Sequence, residues 1–113
     1  MIKGIRLSGT DNVATLLQDA AKGETVTIIS DRNEVLGTVT LLQAIPFGNK
    51  VALKPFAEGD ELVKGGCPVG RAICAIPVGQ LVHVQNIRSL RLDIPEPVIR
   101  EIIKQMAIEE DAA

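Results

Sequence analysis

The sequence predicts a mainly β fold with a short helix near the N-terminus and an amphipathic helix at the C-terminus. Three observations carry that expectation. First, a glycine-centred phrase recurs: Ala44-Ile45-Pro46-Phe47-Gly48-Asn49-Lys50-Val51 returns as Ala75-Ile76-Pro77-Val78-Gly79-Gln80-Leu81-Val82. Looser versions are Ala20-Ala21-Lys22-Gly23-Glu24-Thr25-Val26 and Phe56-Ala57-Glu58-Gly59-Asp60-Glu61-Leu62. Glycine suits a backbone position with φ > 0, where a Cβ would clash, so each phrase reads as a turn that delivers the chain into a β-type residue. Second, the stretches between these turns are short and apolar, as strands are. Third, the pattern changes past Asp93 to apolar residues at helical spacing. The repeat is too irregular for a solenoid, which needs a fixed period.

The elements follow in order. Residues 2–7 alternate and predict a first strand. Thr10 or Asp11 offers a side-chain oxygen to the free amides of a first helical turn. Val13, Ala14, Leu16, Leu17, Ala20 and Ala21 then recur at helical spacing and predict a short helix, ended by Lys22-Gly23. Residues 25–29 and 35–42 predict the two arms of a hairpin joined by Asp31-Arg32-Asn33-Glu34, with Gly37 at a bulge. A short strand is expected at 51–53, and residues 62–64 lead into the next segment. Gly65-Gly66-Cys67-Pro68-Val69-Gly70 reads as a loop. Strands at 72–76 and 81–87 complete the β module. Ile94-Pro95-Glu96-Pro97 resets the chain, and Pro97 suits the first turn of a helix. Val98, Ile99, Ile102, Ile103 and Met106 form an apolar stripe along that helix. So short a helix needs something to pack against. Its own domain is the expected partner, with another copy or a different chain as the alternatives.

Composition narrows the function classes. The 113 residues predict one domain, and 46% hydrophobic residues are enough for a core. There is no Trp or Tyr and there are two Phe, so stacking on sugar rings or bases is excluded as the main mode of binding. The net charge of −2 leaves no basic stripe for nucleic acid or an anionic membrane. Lys3 and Arg6 have no apolar run of about 7–15 residues behind them, so no secretory leader is expected. No apolar stretch reaches the ~20 residues of a membrane span. A cytoplasmic protein is expected. Cys67 and Cys74 match no metal or redox spacing, and the expectation is two reduced, mostly buried small apolar side chains.

Two segments could carry chemistry. Asp11-Asn12 opens the predicted helix; capping alone accounts for Asp11 and leaves Asn12 free to point into a site. Leu81-Val82-His83-Val84-Gln85-Asn86, read as a strand, puts Val82 and Val84 in the core and His83 with Gln85 on the opposite face. His83 is the only histidine. A lone histidine is more often structural than a ligand, and one His with one Gln makes a poor transition-metal site. No nucleophile–base pair or paired carboxylate set is visible, so the residues alone imply a β-rich domain with a small polar site around His83.

The ordered blocks Asp11-Asn12-Val13-Ala14, Ile45-Pro46-Phe47-Gly48-Asn49-Lys50-Val51-Ala52-Leu53, Glu58-Gly59, Val63-Lys64-Gly65-Gly66, Pro68-Val69-Gly70-Arg71-Ala72 and Val82-His83-Val84-Gln85-Asn86 resemble the SAF domain of the altronate dehydratase family. The resemblance spans roughly residues 5–88. It implies a β-clip, a long folded-over hairpin with short strands and many turns. The domain would occupy residues 1–90, with 91–113 as a helical extension.

The same resemblance implies a function. The family's members are hydro-lyases or related lyases working on sugar acids. They are usually metal-dependent, with most catalytic groups on a large domain or subunit. This chain would then be the small subunit that helps complete the active site of a separate dehydratase large subunit. A divalent metal, Fe or Mn, would belong to the large subunit, and none is expected here. The family commonly has His at the position of Asn49, Lys-Tyr-Gly at Lys64-Gly65-Gly66, and His-Val-His-Val-His-Asn at 81–86. A face that can carry three imidazoles retains one. What carries over is Asp11, Asn12, Lys50, Lys64, His83 and Asn86. Lys50 and Lys64 would attract the substrate carboxylate, and Asn12 and Asn86 would bind hydroxyls. Asn49 and Gln85 can hydrogen-bond the same groups, whereas His83 would bond to substrate or relay a proton. The rival expectation is a non-catalytic β-clip binding or assembly module that forms a homo-oligomer through its C-terminal helix.

Overall fold

Four copies of one turn organise the computed structural model, which describes residues 1–110. Gly23, Gly48, Gly59 and Gly79 have φ of 85°, 82°, 92° and 91°. In each copy the residue after the glycine donates its N–H back three positions: Glu24 to Ala21, Asn49 to Pro46, Asp60 to Ala57, Gln80 to Pro77. A positive φ at the third residue with that bond is the type II pattern. Each turn then clasps a distant residue with two backbone hydrogen bonds. Gly23 and Glu24 hold Leu41, Gly48 and Asn49 hold Leu16, Gly59 and Asp60 hold Ala72, and Gly79 and Gln80 hold Ala52.

These clasps are reciprocal. Leu16 leads into the Gly23 turn and is held by the Gly48 turn; Leu41 leads into the Gly48 turn and is held by the Gly23 turn. Ala52 and Ala72 stand in the same relation to the Gly59 and Gly79 turns. Antiparallel bridges tie each pair together, Ala20 to Ile45 and Phe56 to Ile76. The repeated phrase is therefore a structural repeat, arranged as two interlocked pairs.

Nine strands run between the turns: β1 (Ile2–Ile5), β2 (Val13–Leu16), β3 (Thr25–Ile29), β4 (Val35–Thr40), β5 (Lys50–Ala52), β6 (Glu61–Lys64), β7 (Cys67–Ala72), β8 (Leu81–Val82) and β9 (Ile87–Ser89). Six form a sheet in the order β4-β3-β1-β2-β5-β8, and β6-β7-β9 form a second. Among the described residues only β1 and β3 pair in parallel. The β3–β4 register shifts next to Gly37, which is the expected bulge. Among the described residues no helix is long and apolar enough to cross a membrane. The mainly β fold is the expected class and agrees with a β-clip.

Two apolar cores fill the body. One gathers Ala14, Leu16, Ala20, Ile45 and their neighbours; the other gathers Val13, Ala52, Phe56, Leu62 and Ile76. Each core thus receives the bridge residues of one turn pair. Strand β2 lies between them, with Val13 in one core and Ala14 and Leu16 in the other. This overturns the expected N-terminal helix. A strand buried on both faces has no polar alternation, so its apolar residues fall at spacings that also fit a helix.

Four further expectations are corrected. Residues 65–70 are not an open loop: Gly65 and Gly66, both with positive φ, make a two-residue hairpin turn between Lys64 and Cys67. Pro68 is tolerated in β7 because β9 pairs only with Gly70, Arg71 and Ala72. Residues 72–76 are not a continuous strand, since β7 ends at Ala72. The strand expected over 81–87 is broken, because β8 ends at Val82, residues 84–86 turn, and β9 begins at Ile87. Both cysteines are free and exposed, not buried.

The helix α1 (Glu96–Met106) forms where expected, with Pro97 in its first turn. Ala107 closes it in the left-handed conformation, donating its N–H to the helix's last carbonyls. Ile99 and Ile103 are buried and Val98 is exposed. The stripe therefore packs on its own domain. Ile108 beyond the helix touches the first core, and Gln43 Nε2 donates to the Glu109 carbonyl.

Candidate functional site

The register of β5 against β8 pairs Lys50 with Val82, which sets the Lys50 side chain beside His83. Both line a cavity of about 330 Å³. Its floor is Leu62, Val69, Val82 and Ile87; its outer wall is Leu92, Ile94 and Ile99 from the C-terminal extension. Arg88 and Ser89 of β9 complete the polar lining, and no carboxylate lines the cavity.

Charge and burial act together here. Burial holds the Lys50 ammonium below its usual pKa, and the nearby Lys64 charge pushes it the same way. Burial also lowers the His83 pKa, with the Lys50 charge adding to the effect. Both effects favour the neutral imidazole over the charged one. Lys50 makes no salt bridge among the described residues. The Arg88 guanidinium is already occupied: it donates to the Val84 and Ile87 carbonyls and pairs with Glu96 at 3.5 Å. Lys50 is thus the unpaired cation of the cavity, with Lys64 reinforcing its field.

The turn after β8 is held by amides. Gln85 Nε2 and Asn86 Nδ2 both donate to the Leu81 carbonyl at 2.9 Å. The His83 backbone N–H donates to Asn86 Oδ1 at 3.0 Å. Gln85 and Asn86 are buried. Both were expected to face substrate. The structure instead turns them inward, because breaking the strand after Val82 leaves carbonyls and amides that must be satisfied. They position His83 and do not line the cavity.

Three more candidates have structural occupations. Asp11 is 1% exposed and accepts N–H groups from Ser8, Gly65 and Gly66. It caps no helix; it holds the β6–β7 hairpin turn against the loop after β1. Asn12 is not free for a site either: its Oδ1 accepts from Val63 N–H and its Nδ2 donates to the Glu61 carbonyl, both at 2.9 Å. It joins β2 to β6, and so one sheet to the other. Asn49 Nδ2 donates to the Pro46 and Phe47 carbonyls within its own turn. Of the eight candidates, the structure brings together Lys50, Lys64 and His83.

Sequence reasoning passed over Arg88 and the wall from the extension. A signal existed for the wall: Leu90, Leu92 and Ile94 alternate with Arg91 and Asp93 ahead of the helix, as a strap with one apolar edge does. For Arg88 there was none.

Among the described residues no three His, Cys, Asp or Glu side chains gather. With Gln85 and Asn86 bonded to Leu81, the one imidazole has no companion ligand. The donor set does not fit a transition metal.

The comparison that decides the family is with its sequence model: residues 2–90 match the altronate/galactarate dehydratase SAF domain. The chain belongs to that family. Altronate dehydratase of Escherichia coli (strain K12) is 36% identical over 92 residues, covering 81% of this chain and 17% of the relative. Altronate dehydratase of Bacillus subtilis (strain 168) is 34% identical over 91 residues, with 80% and 17% covered. The (2R)-sulfolactate sulfo-lyase subunit alpha of Chromohalobacter salexigens is 38% identical over 48 residues, 42% of this chain and 51% of that subunit. The SAF match thus spans about a sixth of the altronate dehydratases. It ends before Leu92, Ile94 and Ile99, so the outer wall of the cavity comes from outside the family match.

Proposed function

We propose that this chain is the SAF subunit of a cytoplasmic sugar-acid lyase of the altronate/galactarate dehydratase type, working with a separate large subunit. The observation that carries the reading is the pairing of Lys50 and His83 in one cavity of an SAF domain, with the Lys64 charge near enough to act on Lys50. In this reading the two ammonium groups draw in the substrate carboxylate, and the neutral imidazole bonds to a substrate hydroxyl or relays a proton from it. The half-length match to a lyase subunit alpha supports a small companion chain. So does the poverty of the site: one imidazole and two ammonium groups do not make an enzyme unaided. A divalent metal, where the reaction uses one, belongs to the large subunit.

The test is reconstitution. The chain is co-expressed with an altronate/galactarate-type large subunit, purified as a complex and assayed for 2-oxo acid formation on a panel of sugar acids. The expected result is a complex whose activity falls at least about a hundredfold with His83→Ala, as loss of a proton-transfer group does. A complex at full rate with His83→Ala refutes the role of His83. Failure to associate with any such large subunit refutes the subunit reading.

A further inference from the structure

In the Lys50–His83 cavity, the walls are as informative as the charges. The floor residues Leu62, Val69, Val82 and Ile87 are all apolar, and so are the outer residues Leu92, Ile94 and Ile99. A polyhydroxylated chain placed there would leave its hydroxyls facing hydrocarbon without partners, at a cost for each. Most side chains able to bond such hydroxyls are engaged elsewhere: Gln85 Nε2 and Asn86 Nδ2 with Leu81, Asn12 with β6, Asn49 with its own turn. Of the polar lining, Ser89 Oγ accepts from the Arg91 and Leu92 N–H groups and Arg88 is bonded to the Val84 and Ile87 carbonyls and to Glu96, which leaves Lys50 and His83 as the lining side chains without a hydrogen bond among the described residues. A volume of about 330 Å³ suits a small organic acid.

We infer that this cavity binds a carboxylic acid with an apolar body, its carboxylate on Lys50 and its hydrocarbon end under Leu92 and Ile99. The C-terminal extension adds to that apolar character, since Leu92, Ile94 and Ile99 are among the lining residues. The inference rests on the proposed reading of the cleft as the substrate end and departs from that reading in the substrate's tail: a hydroxy acid whose far end is hydrocarbon would replace the sugar acid.

The lone histidine makes the test direct, because its imidazole gives a single set of NMR signals. The full chain alone, with no large subunit, is titrated with 4-methylpentanoate, gluconate and the uncharged 4-methylpentanamide. The expected result is a saturable shift of the His83 imidazole with 4-methylpentanoate, at a Kd at least about tenfold below that for gluconate, since each buried CH2 contributes about fourfold. Lys50→Gln abolishes the difference between the acid and the amide. Leu92→Ser, at an exposed position that does not threaten folding, weakens the acid severalfold. Gluconate binding as tightly as 4-methylpentanoate overturns the inference, as does an acid that binds without moving His83. Because no partner is present, failure to form a complex in the reconstitution leaves this result standing, and the two readings fail separately.

Discussion

Replacing Gly79 with alanine separates two costs that glycine normally conceals. Gly79 and Gly59 occupy the same position of the same turn, at φ of 91° and 92°. At Gly59 a Cβ would meet nothing within 4 Å. At Gly79 it would lie 2.3 Å from the Thr40 carbonyl oxygen and 3.4 Å from Leu42 Cγ. The Gly79 turn is pinned there, since Leu42 donates its N–H to the Gly79 carbonyl. Left-handed backbone costs a non-glycine residue about 1–2 kcal/mol, offset by about 0.4–1 kcal/mol from the stiffened unfolded chain. Gly59→Ala should therefore cost about 1 kcal/mol. Gly79→Ala carries the same strain plus an overlap with backbone that cannot rotate away, which adds about 1–3 kcal/mol or more. The expected loss is about 2–4 kcal/mol, a large share of the roughly 5–15 kcal/mol that holds a domain together. Urea unfolding of the two variants side by side measures the difference. If Gly79→Ala falls within about 1 kcal/mol of Gly59→Ala, the close approach to Thr40 is not a constraint and the clasp argument fails.

Other outcomes follow from the hydrogen bonds and charges. Asn12→Ala removes both bonds to β6 and should cost about 1–3 kcal/mol in thermal unfolding. Asn12→Asp should cost more, because a carboxylate would then face the Glu61 carbonyl; equal stability of the three proteins would count against the bridging role. The folded His83 pKa lies below its usual 6.5, through burial first and the Lys50 charge second. The unfolded chain then binds a proton at a pH where the folded chain does not, so this contribution to stability is complete above about 6.5 and is lost as pH falls toward the folded pKa. His83→Gln should flatten the slope of stability against pH in that window, read from urea midpoints; an unchanged slope refutes the burial of the ring. Cys67 and Cys74 should both react with a thiol reagent in the native protein without denaturant. Two slow, denaturant-dependent thiols would contradict their exposure.

The turns were the legible part of this sequence. Gly23, Gly48, Gly59 and Gly79 mark conformations that other residues enter only with strain, so the phrase around each names its structure directly. The pairing of the turns was not legible, because each clasp is made by backbone groups that every residue carries. Val13, Ala14 and Leu16 misled because their strand divides two cores. His83 and Lys50 were visible as chemistry, and the pairing of β5 with β8 gave them their shared cavity. Gln85 and Asn86 looked like further site residues because a strand would have put Gln85 beside the imidazole. The break after Val82 instead created the carbonyl that both amides satisfy, and nothing in residues 81–87 announces that break.

The interlocked clasps have a consequence for how the molecule assembles. The first pair closes its clasps within residues 16–49 and the second within 52–80, so the two knots are tied by separate stretches of chain, and Leu42 then joins them through its bond to Gly79. As the polypeptide is synthesised, the earlier knot can tighten before the later one has left the ribosome. The lysine and the imidazole that share a pocket sit on opposite sides of that division, Lys50 at the end of the first knot and His83 just past the second. The binding cleft therefore draws on both knots and on the extension that follows them, and it is complete only when all three are in place.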